Sequence, residues 1–325
     1  MKLATFEPPE EACLDQRVGC YDDDAETLVD VTAAYATLLA NRGEQCPNEI
    51  ARAHAPTDMI AFLERGERAT DAAEEAIEFV RETGGGTGID GRRLAYDLDE
   101  VSLLSPVPNP TSLRDYMVVE EHVRNALGDD IPEEWFELPV YYKADSNCIG
   151  HPDQDIEWPS YTEEMDYELE LAAVIGKEGR DIAAENADEY IAGYTIYNDL
   201  SARDMQFREM EVNLGPSKGK DFNGSNVLGP FLVTPNSIRI DDVRMTARVN
   251  GEVWSEGTLG AMQHSFAEMI EHTSQSQYLY PGDVLGSGTI GMGCGLEMDR
   301  YLSRGDTVEL EVEGIGTLRN RIVEL

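Results

Sequence analysis

The sequence predicts an α+β fold, a β-rich mixed domain preceded by a smaller α/β N-terminal unit. Helix-type spacing of apolar residues crowds into the first hundred positions, and beyond them strand-type runs and glycines take over. Strands and helices never alternate in the βαβ rhythm that builds a doubly wound parallel sheet. A proline-rich bridge, Ser105-Pro-Val-Pro-Asn-Pro110, separates the two regimes, which places a variable N-terminal domain at 1–105 and a second domain at 106–325. At 325 residues the chain is long enough to bury a sizeable core in either unit.

In chain order, Lys2–Phe6 reads as an opening strand. Ala25–Ala40 has helical spacing through Val29, Val31, Ala34 and Leu38. Asp58–Leu63 predicts a second helix and Ala69–Val80 a third, stopped near Gly84-Gly-Gly86. Glu100–Leu104 is a strand leading into the bridge. Leu169–Val174, Tyr194–Tyr197 and Val227–Val233 are apolar enough to be buried strands. Arg244–Val249 alternates, turns at Asn250-Gly251 and returns through Glu252–Ser255 as a hairpin. Phe266–Thr273 is a helix, and Val308, Leu310 and Val312 mark a closing strand.

The formal net charge is −39, from 64 acidic against 25 basic residues, of which five are lysine. An acidic surface nearly cleared of lysine suits a protein that works in concentrated salt. Charges there are screened within about 3 Å at 1 M, so self-repulsion is tolerable. The charge points to the cell of a halophilic archaeon and excludes nucleic acid and anionic membrane surfaces as partners. Five scattered cysteines (Cys13, Cys20, Cys46, Cys148 and Cys294) fit neither a disulfide framework nor a zinc motif and read as reduced thiols. The N-terminus lacks the pattern of a signal peptide, and no apolar run reaches the roughly 20 residues of a bilayer span, so a cytoplasmic location is expected.

The chemistry starts at Glu168-Leu-Glu170. Residues two apart on a strand share a face, so these carboxylates, with Asp199 beyond a second strand, can converge on a hard divalent cation such as Mg²⁺, Mn²⁺ or Ca²⁺. In so acidic a chain the pair could equally be a solvated edge. Its apolar continuation to Ile175 argues for carboxylates entering a core, where they need a counter-charge or a cation. Asp115 and His122, seven apart, are expected on one side of a helix. Arg203, Lys218 and Lys220 form a basic group suited to an anionic substrate or an oxyanion. Gly286-Ser-Gly-Thr289 and Gly291-Met-Gly-Cys-Gly-Leu-Glu297 lack the lysine and helix of a phosphate loop, and would let backbone approach a small ligand.

Asp115-x6-His122, Glu168-x-Glu170, Asn198-Asp199-Leu-Ser-Ala-Arg-Asp-Met-Gln206, Lys220-Asp-Phe222, Tyr280-Pro-Gly-Asp283, Ser287-Gly-Thr289 and Glu311-Val-Glu-Gly-Ile-Gly316 follow one another in an order that resembles the fumarylacetoacetate hydrolase superfamily from about residue 106 onward. The resemblance implies that family's β-rich catalytic domain, usually a homodimer. It implies Asp115, Glu168, Glu170 and Asp199 as metal ligands, and His122 paired with Glu297 as general base. Arg203, Gln206 and Lys220 would surround the reacting carbonyl, with Thr289 contacting the substrate carboxylate. Met117 and Met210 stand where the eponymous enzyme offers tyrosines, and Gly224 replaces a threonine tied to a second ion. A more apolar pocket and a different small anionic 2-oxo acid follow from those departures.

The activity expected on this basis is metal-dependent hydrolysis of a C–C bond in an acylpyruvate-like 1,3-dicarbonyl acid. The alternatives are a lyase, in particular a 2-keto-3-deoxy-aldonate dehydratase of sugar oxidation, and a 2-oxo acid decarboxylase or isomerase. A binding protein that kept the fold without the chemistry is a third class, which the presence of every implied ligand disfavours.

Overall fold

The computed structural model describes residues 1–9, 16–128, 130–260 and 262–324; Cys13 lies outside them. The α+β, β-rich prediction holds. Ten strands form the path of a twelve-stranded mixed sheet, in the order Ala95–Tyr96, Thr27–Asp30, Arg17–Asp22, Lys2–Glu7, Asn226–Val233, Ile191–Asp199, Leu169–Ile175, Asp283–Gly286, Ser112–Tyr116 and Tyr141–Ala144. Ser102–Leu104 and Ile149–Gly150 attach beside it. A five-stranded sheet runs Glu252–Thr258, Arg244–Val249, Thr307–Val312, Gly316–Val323 and Asp155–Glu157. The large sheet crosses the bridge at residue 105, because Lys2 and Leu3 pair with Val233 and Leu232.

Leu169–Ile175 is buried along its whole length, and its alternation explains the continuous apolar run. Leu171, Ala173 and Ile175 join Met245, Ala247 and Leu310 in a core against the five-stranded sheet. Ala172 and Val174 face the other way, into a core shared with Leu232, Val29 and the N-terminal helices Val31–Asn41 and Glu67–Thr83. A strand covered on both faces has no polar side to show.

The segment Ala25–Ala40 is not one helix. Thr27–Asp30 is a strand paired with Arg17–Asp22 and Ala95–Tyr96, and the helix begins only at Val31. Asp30 makes the break, its side chain accepting the Ala33 N–H at 3.0 Å as an N-cap. The other two expected helices are Met59–Glu64, capped by Asp58, and Glu67–Thr83, closed by left-handed Gly84, and a further one runs Pro47–His54. The Asn250-Gly251 turn has positive φ at both residues, 53° and 79°, as a tight hairpin requires. No helix of the described residues is long and apolar enough to cross a membrane.

Candidate active site

Four carboxylates meet where neighbouring strands end. Leu113, Ala172, Val174 and Tyr197 all belong to the core on the helical side of the sheet. Counting by twos along each strand puts Asp115, Glu170, Glu168 and Asp199 on that same face, beyond the edge of the apolar layer. Ligand atoms of the four lie within 4.8 Å of one another, and all four side chains are buried. Register brings them there: Glu170 pairs with Tyr197, Ala172 with Gly286, and Gly286 with Asp115. Gly286 has to be glycine, because a Cβ would sit 2.6 Å from Asp115 Oδ1 and 2.9 Å from the Tyr197 ring. The glycines thus make room for protein groups. Gly288 does so as well, at φ 77°, donating its N–H to Glu170 Oε2 at 3.1 Å.

Asp115 and His122 do not share a helix, as their spacing had predicted. Asp115 is on the strand Ser112–Tyr116 and His122 on the helix Glu120–Leu127. The strand is recruited by parallel pairing with Asp283–Gly286, a contact invisible to local periodicity.

Two buried cations touch the cluster. Lys220 Nζ bonds Asp199 Oδ2 and stands 3.0 Å from Glu168 Oε2. Arg203 reaches Glu168 Oε1 at 2.7 Å, holds Asp166 Oδ2 through Nε at 2.9 Å and Nη2 at 2.6 Å, and donates to Gln206 Oε1 at 3.0 Å. Asp166, two residues before Glu168, is thereby satisfied by Arg203. It also accepts the N–H groups of Gly295 and Leu296 at 2.7 and 2.9 Å, tying the glycine-rich loop to the site.

Five carboxylates against Arg203 and Lys220 leave a formal excess of three negative charges in a buried volume. This crowding shifts the carboxyl pKa values, and not all in one direction. Desolvation, then the Asp199 charge, pushes Asp115 well above the usual carboxylate range. Desolvation with Asp115 and Glu168 does the same to Glu170, and desolvation raises Asp199 to about 6. Glu168 goes the other way: burial works to raise it, but Lys220 and Arg203 hold it below its usual value. Oδ1 of Asp115 and Oδ1 of Asp199 are buried with no hydrogen-bond partner. Orphaned oxygens in an all-carboxylate cage fit a hard divalent cation, which prefers oxygen ligands and would relieve the repulsion.

His122 is buried beside this cage, its Nδ1 3.1 Å from Glu297 Oε2. Glu297 is held in place by Asn125 Nδ2 at 2.8 Å and the Met292 N–H at 2.9 Å, both on Oε1. Burial raises the Glu297 carboxyl, but these bonds and His122 outweigh it and keep it below its usual value. Asn125 went unnoticed in the sequence, although it lies one helical turn beyond His122 and the three-residue spacing could have found it.

A cavity of about 280 Å³ opens onto Asp115, His122, Glu168, Arg203, Gln206, Lys220 and Thr289, with Met117 and Met210 on its apolar side. Thr289 Oγ1 also lies 3.5 Å from Glu170 Oε1. Lys218 does not line this cavity; it points to the Asp221 carbonyl at the surface. Tyr141, Tyr142 and Phe207 line it unforeseen. The Tyr142 hydroxyl donates to Asp199 Oδ2 at 2.7 Å, so a phenol lines the same cavity as the two methionines. A larger cleft of about 1010 Å³ beside Ile60 and Tyr280 has no comparable convergence, its charges forming exposed couples such as Lys177–Glu189.

Fold and site together define a class, a β-rich scaffold that brings a carboxylate cage and a His–Glu pair to one small cavity. Residues 113–323 match the family model described as fumarylacetoacetate (FAA) hydrolase, C-terminal. The chain belongs to this enzyme family. It is 32% identical over 274 residues to the oxaloacetate tautomerase YisK of Bacillus subtilis, spanning 82% of this chain and 87% of that one. Identity to the mitochondrial oxaloacetate tautomerase FAHD2A of Homo sapiens is also 32%, over 270 residues, 82% of this chain and 80% of the relative. Among solved structures, a fumarylacetoacetate hydrolase of Exiguobacterium antarcticum superposes over the full length of both chains with a TM-score of 0.73 at 25% identity.

Proposed function

We propose that the protein is a divalent-metal-dependent tautomerase interconverting the keto and enol forms of a small 2-oxo diacid of the oxaloacetate type. The observation that carries this reading is a carboxylate-backed histidine facing the same cavity as Asp115 and Glu168 of the four-carboxylate cage, in a chain one-third identical to oxaloacetate tautomerases over four-fifths of its length.

Asp115, Glu168, Glu170 and Asp199 would hold the ion, which when bound supplies Lewis-acid polarisation of the 2-oxo group. Tautomerisation moves one proton between carbon and oxygen. His122 takes the proton from the carbon next to the carbonyl, and Glu297 stabilises the imidazolium that results, as a paired general base does. Lys220 and Arg203 place fixed positive charge near the developing negative charge on the substrate. Gln206 and Thr289 offer polar atoms to its carboxylates, and Met117 and Met210 add apolar lining. Screening oxaloacetate with Mg²⁺ and Mn²⁺ in molar KCl, following loss of enol absorbance, tests this. Acceleration that vanishes on chelation supports it, and a rate equal to buffer overturns it.

C–C hydrolysis of an acylpyruvate is the second reading, favoured by the same dyad, since a His–Glu pair is also the usual apparatus for activating water. Product analysis by mass separates the two, because only hydrolysis yields two fragments. We also read the protein as a dimer. Phe207 and Met210 at the cavity are 42% exposed, and Val212 and Leu214 next to them 73% and 80%, apolar surface of the kind a second subunit covers. Light scattering at high salt checks it.

A further inference from the structure

His122 belongs to a second convergence of ligand-type side chains. A ring nitrogen of His122, a carboxylate oxygen of Glu297 and the Sγ of Cys294 lie within 4.8 Å of one another. The His122 Nδ1 is 3.1 Å from Glu297 Oε2, and the sulfur 3.4 Å from that same oxygen. Tetrahedral zinc, with bonds of about 2.3 Å to sulfur and about 2.0–2.1 Å to nitrogen or oxygen, sets its donor atoms roughly 3.3–3.6 Å apart. The two separations to the Glu297 oxygen are within a few tenths of an ångström of that spacing, and the third pair lies within 4.8 Å, so modest side-chain adjustment would seat the ion on these three groups, with water as the fourth ligand.

A second observation points to a ligand independently of the spacing. His122 is only 7% exposed, and its Nδ1 lacks an aligned hydrogen bond although Glu297 Oε2 stands 3.1 Å away. A buried ring nitrogen set beside a ligand-type oxygen in this way is disposed to share a cation with it. Cys294 is fully buried, and its backbone is fixed by an isolated bridge to Glu168, so the sulfur is carried on the frame that holds the carboxylate cage. The two donor sets differ in kind. Carboxylates alone suit Mg²⁺ or Mn²⁺, whereas one thiolate, one imidazole and one carboxylate suit Zn²⁺ or Co²⁺.

We propose that His122, Cys294 and Glu297 form a second, softer metal site that takes Zn²⁺ and disables the His122–Glu297 pair while the carboxylate cage keeps its own ion. On binding, the Cys294 thiol gives its proton to solvent and sulfur, nitrogen and oxygen each donate a lone pair to zinc, with no change of oxidation state. Zinc then occupies the imidazole nitrogen and the carboxylate that the paired base needs. The inhibitory consequence rests on the role proposed above for that pair; the binding itself does not.

The test uses Co²⁺ as a spectroscopic stand-in for Zn²⁺, added to full-length protein already saturated with Mg²⁺ in molar KCl. One equivalent should produce the visible bands of tetrahedral cobalt and a near-ultraviolet thiolate-to-cobalt band, both erased by Zn²⁺. Cys294→Ser should abolish the thiolate band and weaken Zn²⁺ binding at least about tenfold, with Mn²⁺ binding and near-ultraviolet circular dichroism unchanged to show an intact fold. His122→Asn should weaken Zn²⁺ binding similarly. A thiolate band that never forms, or one that survives Cys294→Ser, overturns the site. Zinc inhibition equal in wild type and Cys294→Ser places zinc in the carboxylate cage and overturns the switch. Because the bands need no turnover, a wrong substrate leaves this result standing.

Discussion

At the scale of single residues, the site consists of groups whose burial is tolerable only because of their neighbours. On the proposed mechanism His122 and Glu297 move a proton, so His122→Ala and Glu297→Gln should each lower kcat by about 10²–10⁴. Calorimetry should show Mn²⁺ binding unchanged in both; a parallel loss of metal affinity would make the pair structural. The carboxylate cage has a pH signature. Asp115, Glu170 and Asp199 have folded pKa values raised above their unfolded ones, Asp199 to about 6. Their contribution to stability is therefore full below the unfolded values near 4 and is lost as pH rises through the folded ones. Glu168, shifted downward, has the opposite dependence, present above its unfolded value and lost only in strong acid. In EDTA the protein should thus weaken between about pH 4 and 7. Mn²⁺ should raise Tm more at pH 7.5 than at pH 5.5, where protons compete for the same oxygens. Scanning calorimetry at the two pH values, with and without metal, decides it.

At the scale of elements, strand ends do the positioning. Glu168-x-Glu170 was legible in the sequence because a period of two is a local property of one strand. Asp115 was misplaced onto a helix, since a spacing of seven suits a helix face and nothing nearby announces the strand Ser112–Tyr116. That strand owes its place to Asp283–Gly286, about 170 residues away. The N-terminal Thr27–Asp30 was hidden similarly, its β-branched and apolar residues continuing the helical spacing until the Asp30 cap interrupts it. Gly286 shows why a strand end can be chemically specific without a side chain. Gly286→Ala would drive a methyl into Asp115 and Tyr197, so Mn²⁺ affinity should fall about 10–100-fold, as for groups that orient ligands. An unchanged calorimetric titration would show that the cage can yield.

At the scale of the whole molecule, charge and topology act separately. The chain carries −39 formal charges, and in dilute buffer that self-repulsion opposes the compact state. The urea midpoint should climb with KCl and level off towards molar salt, where the screening length is about 3 Å. A midpoint flat from 0.1 to 3 M would remove the case for a saline environment. The sheet joins the N-terminal strands to the rest, so residues 1–105 should unfold together with 106–325; two calorimetric transitions would show independent units.

The sequence by itself determined the β-rich class, the carboxylate pair, the basic residues near it and the acidic charge of the chain. Each is a matter of composition or short-range period, and a linear chain displays those directly. Only the tertiary structure decided that Asp115 comes from a strand, that Asp166 consumes Arg203, that Tyr142 enters the cage, and that Cys294 stands beside the dyad. Apart from Cys294 and Glu297, which are three positions apart, such contacts join residues tens to hundreds of positions apart. They are set by sheet register and by the repulsion and desolvation of charges crowded into one buried volume, which no local pattern records.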